Sequence, residues 1–82
     1  MSRLLLLGRP ECHLCEEFAD DLRRAFPAAA DCLEEACVDD RPEWRERFGT
    51  RIPVLLAEDG AVLCETVLDP ESVRRWLRRR QG

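Results

Sequence analysis

The chain has 82 residues, 45% of them hydrophobic and 37% charged, which predicts one small folded domain over residues 1–82. Its net charge of −4 disfavours non-specific binding to nucleic acid or to an anionic membrane. All 13 basic residues are arginine, so lysine chemistry such as Schiff-base formation is excluded. Because the longest apolar runs, residues 4–7 and 53–57, are too short to cross a membrane, we expect a cytoplasmic protein.

The apolar pattern of the first half predicts a strand, a helix and a second strand. Residues 4–7 form a short apolar run closed by Gly8, which is typical of a strand covered on both faces. Over residues 14–26 the apolar side chains recur at helical spacing, and Pro27 ends this amphipathic helix. Residues 32–38 are predicted to form an edge strand. Since crossover connections are right-handed and join parallel strands, the two strands should be parallel.

The second half predicts a short helix, a hairpin and a last helix. Pro42 begins the short helix, which ends at Gly49. The Asp-Gly pair at 59–60, between two apolar runs, is a strong signal for an antiparallel hairpin. Asp69 and Pro70 begin the last helix, whose outward arginines we expect to complement the helix dipole rather than bind nucleic acid. The predicted order is βαβαββα.

A pair of cysteines, Cys12 and Cys15, lies directly after the first strand and at the start of the first helix. A C-x-x-C pair in that setting is typical of a redox site, because one helical turn brings the two sulfurs within bonding reach. The unpaired N–H groups at the helix start favour the thiolate of Cys12, which we predict to be the nucleophile. Cys15, one turn inside the helix, is predicted to resolve the mixed disulfide.

Other interpretations of the cysteines stay open at this point. A zinc ribbon needs a second closely spaced pair, and Cys32, Cys37 and Cys64 do not supply one, so we expect these three thiols to pack as small apolar residues. One alternative is a binding module that holds a metal or an iron–sulfur cluster between subunits through Cys12. Another is a partner-docking module whose thiols do not turn over.

Charged neighbours of the pair predict tuning rather than catalysis. His13 lies between the thiols and could stabilise the Cys12 thiolate when it is protonated, so we assign it a tuning role and not that of a general base. Arg9 and Arg51 would support the thiolate, whereas the acidic residues beside the pair oppose it. Each of these screened surface interactions is weak, about 0.3–1 kcal/mol, and they nearly cancel.

The element order, the cysteine pair at the first helix and Ile52–Pro53 before the hairpin resemble the thioredoxin fold in its short, glutaredoxin-like form. The likeness covers nearly the whole chain. It implies an α/β fold with a four-stranded mixed sheet flanked by three helices. It also implies that Pro53 is cis and lies beside the cysteine pair, and that substrate docks on the backbone of Ile52. Arg9 would take the place of the family's lysine, and Arg51 could bind a carboxylate.

The resemblance further implies the activity of a thiol-disulfide oxidoreductase on protein or low-molecular-weight disulfides. The residues expected to contact substrate are His13, Leu14, Arg51, Ile52, Pro53 and Arg9. We expect a monomer with no bound cofactor, no metal and no nucleic-acid or membrane partner. Glutathione is a candidate cosubstrate, and the electron donor would be glutathione or a thioredoxin-reductase-type system. The Gly-Gly turn that glutaredoxins carry before the last helix is replaced here by residues 65–69, which contain no glycine.

Overall fold

The structure, a computed structural model, describes residues 3–81 as a sheet with helices on both faces. In chain order the elements are β1 Leu4–Gly8, α1 His13–Ala25, α2 Pro27–Ala30, β2 Leu33–Cys37, a 3₁₀ turn Val38–Asp40, α3 Pro42–Phe48, β3 Val54–Ala57, β4 Val62–Glu65 and α4 Pro70–Gln81. Within the described residues, no helix combines the length and the apolar character needed to cross a membrane.

The four strands form one mixed sheet in the order β2-β1-β3-β4. β1 runs parallel to β2 and antiparallel to β3, and β3 and β4 form an antiparallel hairpin. The predicted parallel pair, the edge position of β2 and the hairpin are therefore confirmed. Since β1 lies inside the sheet, its carboxyl end has a strand on either side, and the loop that carries the cysteines leaves from this end.

Pro27 has a second effect that the sequence pattern did not predict. It ends α1, which stops at Ala25, and it is the first residue of the one-turn helix α2. A proline cannot donate the N–H that continues a helix, yet its fixed φ suits the first turn of the next one. The structure therefore adds a fourth helix to the three that were expected.

The starts of α3 and α4 differ in how they are capped. The N-cap of α3 is Arg41, which makes no side-chain cap bond. At α4, Asp69 accepts hydrogen bonds from the backbone N–H of Glu71 at 3.2 Å and from the hydroxyl of Ser72 at 2.7 Å. These bonds lower the pKa of Asp69, the Ser72 hydroxyl contributing most. The predicted cap at the last helix is thus present.

The apolar core is divided by the sheet into two clusters. One cluster packs α1, α2 and α4 on one face of the sheet; its buried members are Leu4, Leu6, Phe18, Ala19, Leu22, Ala29, Leu55, Cys64, Val73 and Trp76. The other packs α3 on the opposite face; its buried members are Leu7, Val38, Phe48, Val54 and Leu56. Alternate residues of β1 enter opposite clusters, as expected of a strand covered on both faces. The helix that begins at the cysteines is held against the larger cluster.

Candidate active site

Cys12 is the N-cap of α1 and has an extended backbone, with φ −90° and ψ 108°. Its Sγ accepts a hydrogen bond from the backbone N–H of Cys15 at 3.2 Å. Its carbonyl accepts the N–H of Glu16 at 3.1 Å, which is the first bond of the helix. A sulfur that faces helix N–H groups and the positive end of the helix dipole is stabilised as a thiolate. The local geometry therefore favours Cys12 as the nucleophile of the pair.

Cys15 lies one turn further along α1 and is only 8% exposed. Its sulfur is bonded to that of Cys12, and the two Cα atoms are 5.2 Å apart, within the usual range for a disulfide. Because Cys12 is half-buried and Cys15 is buried, a molecule that approaches from solvent meets Cys12 first. The two thiols can thus carry out different steps of an exchange reaction.

The last residue of β1, Gly8, lies against Cys15. A Cβ built on Gly8 would be 2.9 Å from the Sγ of Cys15 and 3.1 Å from its Cβ. The distance to Sγ is shorter than the contacts that real Cβ atoms make. No residue other than glycine therefore fits at this position unless Cys15 or its helix moves. Gly8 thereby allows the first turn of α1 to rest directly on the sheet.

A tight turn over residues 9–12 joins β1 to α1. The N–H of Cys12 donates to the carbonyl of Arg9 at 3.3 Å, and Pro10 and Glu11 occupy the two central positions. Glu11 has a φ of +60°, a value that type II turns require at their third residue and that glycine normally supplies. For other residues the left-handed conformation costs about 1–2 kcal/mol. The backbone is therefore strained directly before Cys12.

Arg9 is held by three hydrogen bonds within the protein. Its Nε and Nη2 donate to the two carboxylate oxygens of Asp39 at 2.9 and 3.1 Å, and its Nη1 donates to the carbonyl of Gly49 at 2.8 Å. The bond between the two side chains lowers the pKa of Asp39 and raises that of Arg9. Asp39 lies in the 3₁₀ turn after β2, and Gly49 is the C-cap of α3. The arginine expected at the substrate therefore joins three segments of the fold.

The Ile52–Pro53 peptide bond, which is cis, lies at the same end of the sheet as the cysteines. Leu7 of β1 is opposite Val54 of β3 in the antiparallel register, so the next step along this pair brings Pro53 alongside Gly8. Pro53 is buried, and Ile52 is half-buried against the smaller core cluster. The register thus brings Pro53 to the residue on which Cys15 rests.

Thr66, directly after β4, bonds to the backbone on both sides of Ile52. Its N–H donates to the carbonyl of Pro53 at 2.7 Å, and its hydroxyl donates to the carbonyl of Arg51 at 3.2 Å. Thr66 has a φ of +68°, although it is a β-branched residue for which this conformation is unfavourable. The guanidinium of Arg51 lies 3.6 Å from the carboxylate of Glu65. The segment that carries Pro53 is therefore held by the end of β4.

The two residues between the cysteines point into solvent. Leu14 is 54% exposed. The side chain of His13 is 83% exposed, and its Nε2 lies 3.2 Å from the carboxylate of Glu17, one turn along α1. Both residues are close in sequence to the sulfurs and accessible to a bound molecule. Contact of either one with substrate stays a prediction.

A cavity of about 270 Å³ opens between α1 and the carboxyl ends of β1 and β2. Its lining includes Cys15, Arg9 and Cys37. Cys37 is the last residue of β2 and is paired with Gly8 in the parallel register. The cavity lies on the β2 side of Gly8, whereas Pro53 lies on the β3 side. Cys15 is thus flanked by this groove and by the proline segment.

The three remaining cysteines are free thiols. Cys64 is buried in β4, where its Sγ accepts the N–H of Asp69 at 3.3 Å, and burial raises the pKa of its thiol. Cys32, directly before the edge strand β2, and Cys37, its last residue, are half-buried. Among residues 3–81, no group of three His, Cys, Asp or Glu side chains is arranged to hold a metal ion. The predicted packing role suits Cys64 best.

Sequence reasoning missed three residues that shape the site: Gly8, Asp39 and Thr66. For Asp39 a signal was present, because it follows a strand parallel to β1, and the carboxyl ends of parallel strands meet at one edge of a sheet. Gly8 was interpreted only as the end of a strand. Thr66 carried no signal, since glycine is the residue usually found at a positive φ.

Comparisons with known proteins agree with this geometry. The family model for the glutaredoxin-like domain (DUF836) matches residues 3–78. Protein Ne2328 from Nitrosomonas europaea, with a solution NMR structure, is 30% identical with a TM-score of 0.79 over 92% of this chain and 89% of that chain. Protein XcR50 from X. campestris, with an X-ray structure, is 29% identical with a TM-score of 0.70 over 93% and 96%. No curated protein matches the sequence significantly.

The resemblance stated from the sequence and the predicted thioredoxin-like mixed sheet are both confirmed by these matches. The Cys12 and Cys15 sulfurs lie at disulfide distance, which is consistent with a redox function. Since the family model matches nearly all of the described residues, the chain belongs to the glutaredoxin-like domain family.

Proposed function

We propose that this protein is a thiol-disulfide oxidoreductase whose working groups are Cys12 and Cys15. The observation that carries the proposal is the inequality of the two sulfurs. Cys12 is half-buried at a helix N-terminus and accepts the N–H of Cys15 at 3.2 Å, whereas Cys15 is 8% exposed. An accessible, stabilised thiolate beside a shielded thiol is the arrangement that a two-step exchange requires.

In the first step the thiolate of Cys12 attacks one sulfur of a substrate disulfide. The substrate S–S bond breaks, a mixed disulfide forms at Cys12, and the departing substrate sulfur takes up a proton. In the second step Cys15 loses its proton and attacks the sulfur of Cys12. The second substrate sulfur leaves and is protonated, and the Cys12–Cys15 disulfide remains. Two electrons have then passed from the protein to the substrate, and an external thiol reductant restores the pair.

Exposed apolar side chains beside Cys12 and beside the proline segment favour substrates larger than a single small thiol. Leu14 is 54% exposed beside the sulfurs, and Val67, next to the Thr66 bond to Pro53, is 69% exposed. We propose that these side chains, with the backbone of Ile52, contact the substrate. Exposed apolar side chains around a reactive group are typical of sites that bind another molecule. The substrate class is therefore protein disulfides, with low-molecular-weight disulfides as the alternative.

The remaining parts of the proposal concern partners and place. No bound cofactor is needed, because the two thiols hold the electrons themselves. The electron donor is either glutathione, acting as a cosubstrate, or a thioredoxin-reductase-type system. We propose a monomer in a reducing compartment such as the cytoplasm, where thiols are kept reduced between turnovers.

Trapping of the mixed disulfide tests the assignment of the two thiols. A Cys15→Ser variant should accumulate a covalent complex with a disulfide substrate, because the resolving thiol is missing. The matched Cys12→Ser variant should not, because it lacks the nucleophile. Non-reducing electrophoresis and mass spectrometry of the adduct provide the measurement. Equal trapping by both variants would contradict the assignment.

Turnover with two electron donors tests the activity itself. Insulin or a small disulfide is offered to the wild-type protein with glutathione and glutathione reductase, and in parallel with thioredoxin reductase. NADPH consumption that depends on Cys12 supports the proposal and names the donor. Metal analysis of anaerobically purified protein completes the test, since a stoichiometric metal without turnover would favour a metal-binding module instead.

A further inference from the structure

Arg9 connects a carboxylate on one side of the site with the nucleophile on the other. Its guanidinium is bound by both oxygens of Asp39, at 2.9 and 3.1 Å, while its backbone carbonyl accepts the N–H of Cys12. Paired charge-assisted hydrogen bonds of this kind fix orientation as well as distance. The position of Arg9 therefore affects the position of Cys12, which lies three residues away at the other end of the same turn.

The turn between Arg9 and Cys12 is only weakly stabilised by its own backbone contacts. Its closing hydrogen bond is 3.3 Å long, and Glu11 within it has a φ of +60°. Strained backbone persists only where the surrounding structure determines it, and it occurs most often at functional sites. The contacts with Asp39 and Gly49 supply such an outside constraint at the start of the turn.

The third bond of Arg9 reaches the segment that leads to the proline. Gly49, whose carbonyl accepts Nη1 of Arg9 at 2.8 Å, ends α3 and lies three residues before Ile52. There is little spare room around this contact, because a Cβ on Gly49 would lie 3.3 Å from Nη2 of Arg9 and 2.5 Å from the carbonyl of Arg45. One guanidinium thus joins the loop that carries Cys12 to the connection that carries Pro53.

We propose that Asp39 is a positioning residue for the redox pair, acting through Arg9 to hold the strained turn that presents Cys12 to the substrate. The proposal rests on the proposed function, since it assigns Cys12 as the reacting group. Asp39 does not touch the substrate or the sulfur in this role. Its carboxylate binds the guanidinium of Arg9 through two hydrogen bonds, whereas the resemblance to the family implied that Arg9 contacts the substrate.

The alternative is that Arg9 binds an anionic group of the substrate. The two roles differ in their dependence on charge and on side-chain shape. A substrate contact needs a positive charge, which lysine also has, and it matters only for anionic substrates. A positioning contact needs the planar, bidentate fork of arginine and matters for every disulfide.

The experiment uses the reduced full-length chain and measures a single chemical step. The second-order rate constant for reaction with neutral 2,2′-dipyridyl disulfide and with the anionic reagent DTNB is measured for wild type, Asp39→Asn, Arg9→Lys, Arg9→Gln and the Asp39→Asn/Arg9→Lys double variant. Substitution of Glu35 by Gln serves as the control, because it removes a 2.9 Å ion pair with Arg23 that also joins α1 to β2. The urea midpoint of each variant is recorded.

Asp39→Asn and Arg9→Lys are each expected to slow Cys12 by about fivefold or more with both reagents, as small misplacements of a reacting group commonly do. The double variant should be no slower than either single one, because both changes break the same link. Glu35→Gln should react at the wild-type rate. The variants' urea midpoints should not fall in the same order as their rate constants, so that a loss of stability does not explain the slower reaction.

Four results would each overturn the proposal: full reactivity of Asp39→Asn, slowing with DTNB alone, wild-type behaviour of Arg9→Lys alongside a slow Arg9→Gln, or equal slowing by Glu35→Gln. The last result would indicate a general loss of order. The measurement does not need turnover. A protein that passes this test without catalysing donor-linked reduction would contradict the proposed function alone, and the reverse result would contradict the positioning role alone.

Discussion

The sulfur of Cys15 rests on Gly8, so closely that a Cβ at Gly8 would lie 2.9 Å from it. The side chain of Cys15 and the end of strand β1 therefore share a space that only a glycine leaves free. This contact places the first turn of α1 directly above the row where β2, β1 and β3 meet, between Cys37 on one side and Pro53 on the other.

Substitution of Gly8 by alanine should disturb both stability and chemistry. The added methyl group overlaps Cys15, and overpacking of this kind typically costs about 1–3 kcal/mol. We expect a lower free energy of unfolding in urea and a slower release of substrate from the mixed disulfide, since Cys15 must move.

A matched change at Gly60 controls for the loss of a glycine. Gly60 has a φ of +91°, and nothing lies within 4 Å of a Cβ built there. Asparagine tolerates a positive φ better than most residues, so Gly60→Asn should keep the resolving rate of the wild type. A Gly8→Ala variant as stable and as fast as Gly60→Asn would show that the contact with Cys15 has no importance.

The five thiols should react with iodoacetamide in a defined order. In the reduced folded protein Cys12 should be modified first, because it is accessible and lies at the helix N-terminus. Cys64 should be modified last, since it is 3% exposed and burial raises the pKa of its thiol. Time-resolved peptide mapping by mass spectrometry gives the order. Rapid labelling of Cys64 before unfolding in urea would contradict its burial.

The positive φ of Thr66 predicts that glycine is tolerated better than alanine at this position. Thr66→Gly relieves the left-handed strain but loses the hydroxyl bond to Arg51, whereas Thr66→Ala loses the same bond and keeps the strain. The glycine variant should therefore be more stable than the alanine variant by about 1 kcal/mol. The comparison is made by urea unfolding of both proteins. Equal stabilities would mean that the backbone at this turn relaxes without cost.

Asp69 should make the stability of α4 depend on pH. Its pKa is lowered in the folded state, chiefly by the Ser72 hydroxyl, so the charged form favours folding. The stabilisation is present above the unfolded pKa of about 3.9 and disappears as the pH falls through the lower folded value. Asp69→Asn keeps a capping side chain that does not titrate.

Urea unfolding at pH 7 and at pH 3 measures this effect. The wild type should exceed Asp69→Asn in stability at pH 7, and the difference should shrink at pH 3. Asp69→Ala, which lacks any cap, should be the least stable at both. A difference between wild type and Asp69→Asn that stays constant with pH would show that the carboxylate charge is unimportant at this helix.

The strands, the long helices and the cysteine motif follow from local features of the chain. Each of these features is made by residues close together in the chain, as in the apolar run of β1, the helical spacing of α1, the Asp-Gly turn and the Asp69 cap. Features of this kind can be predicted from the sequence. The dual role of Pro27 was harder to predict, because the same residue type that ends one helix also suits the start of the next.

The pattern of residues along the chain is enough to point to a redox site: a cysteine pair at a helix start, followed at a distance by an Ile-Pro step before a hairpin. What surrounds these residues depends on the tertiary structure. Arg9 binds Asp39 and Gly49, which lie 30 and 40 residues further along the chain. Cys15 contacts Gly8 because the helix α1 packs back over strand β1. Such partners depend on the register and packing of the whole sheet, which no local pattern of residues encodes.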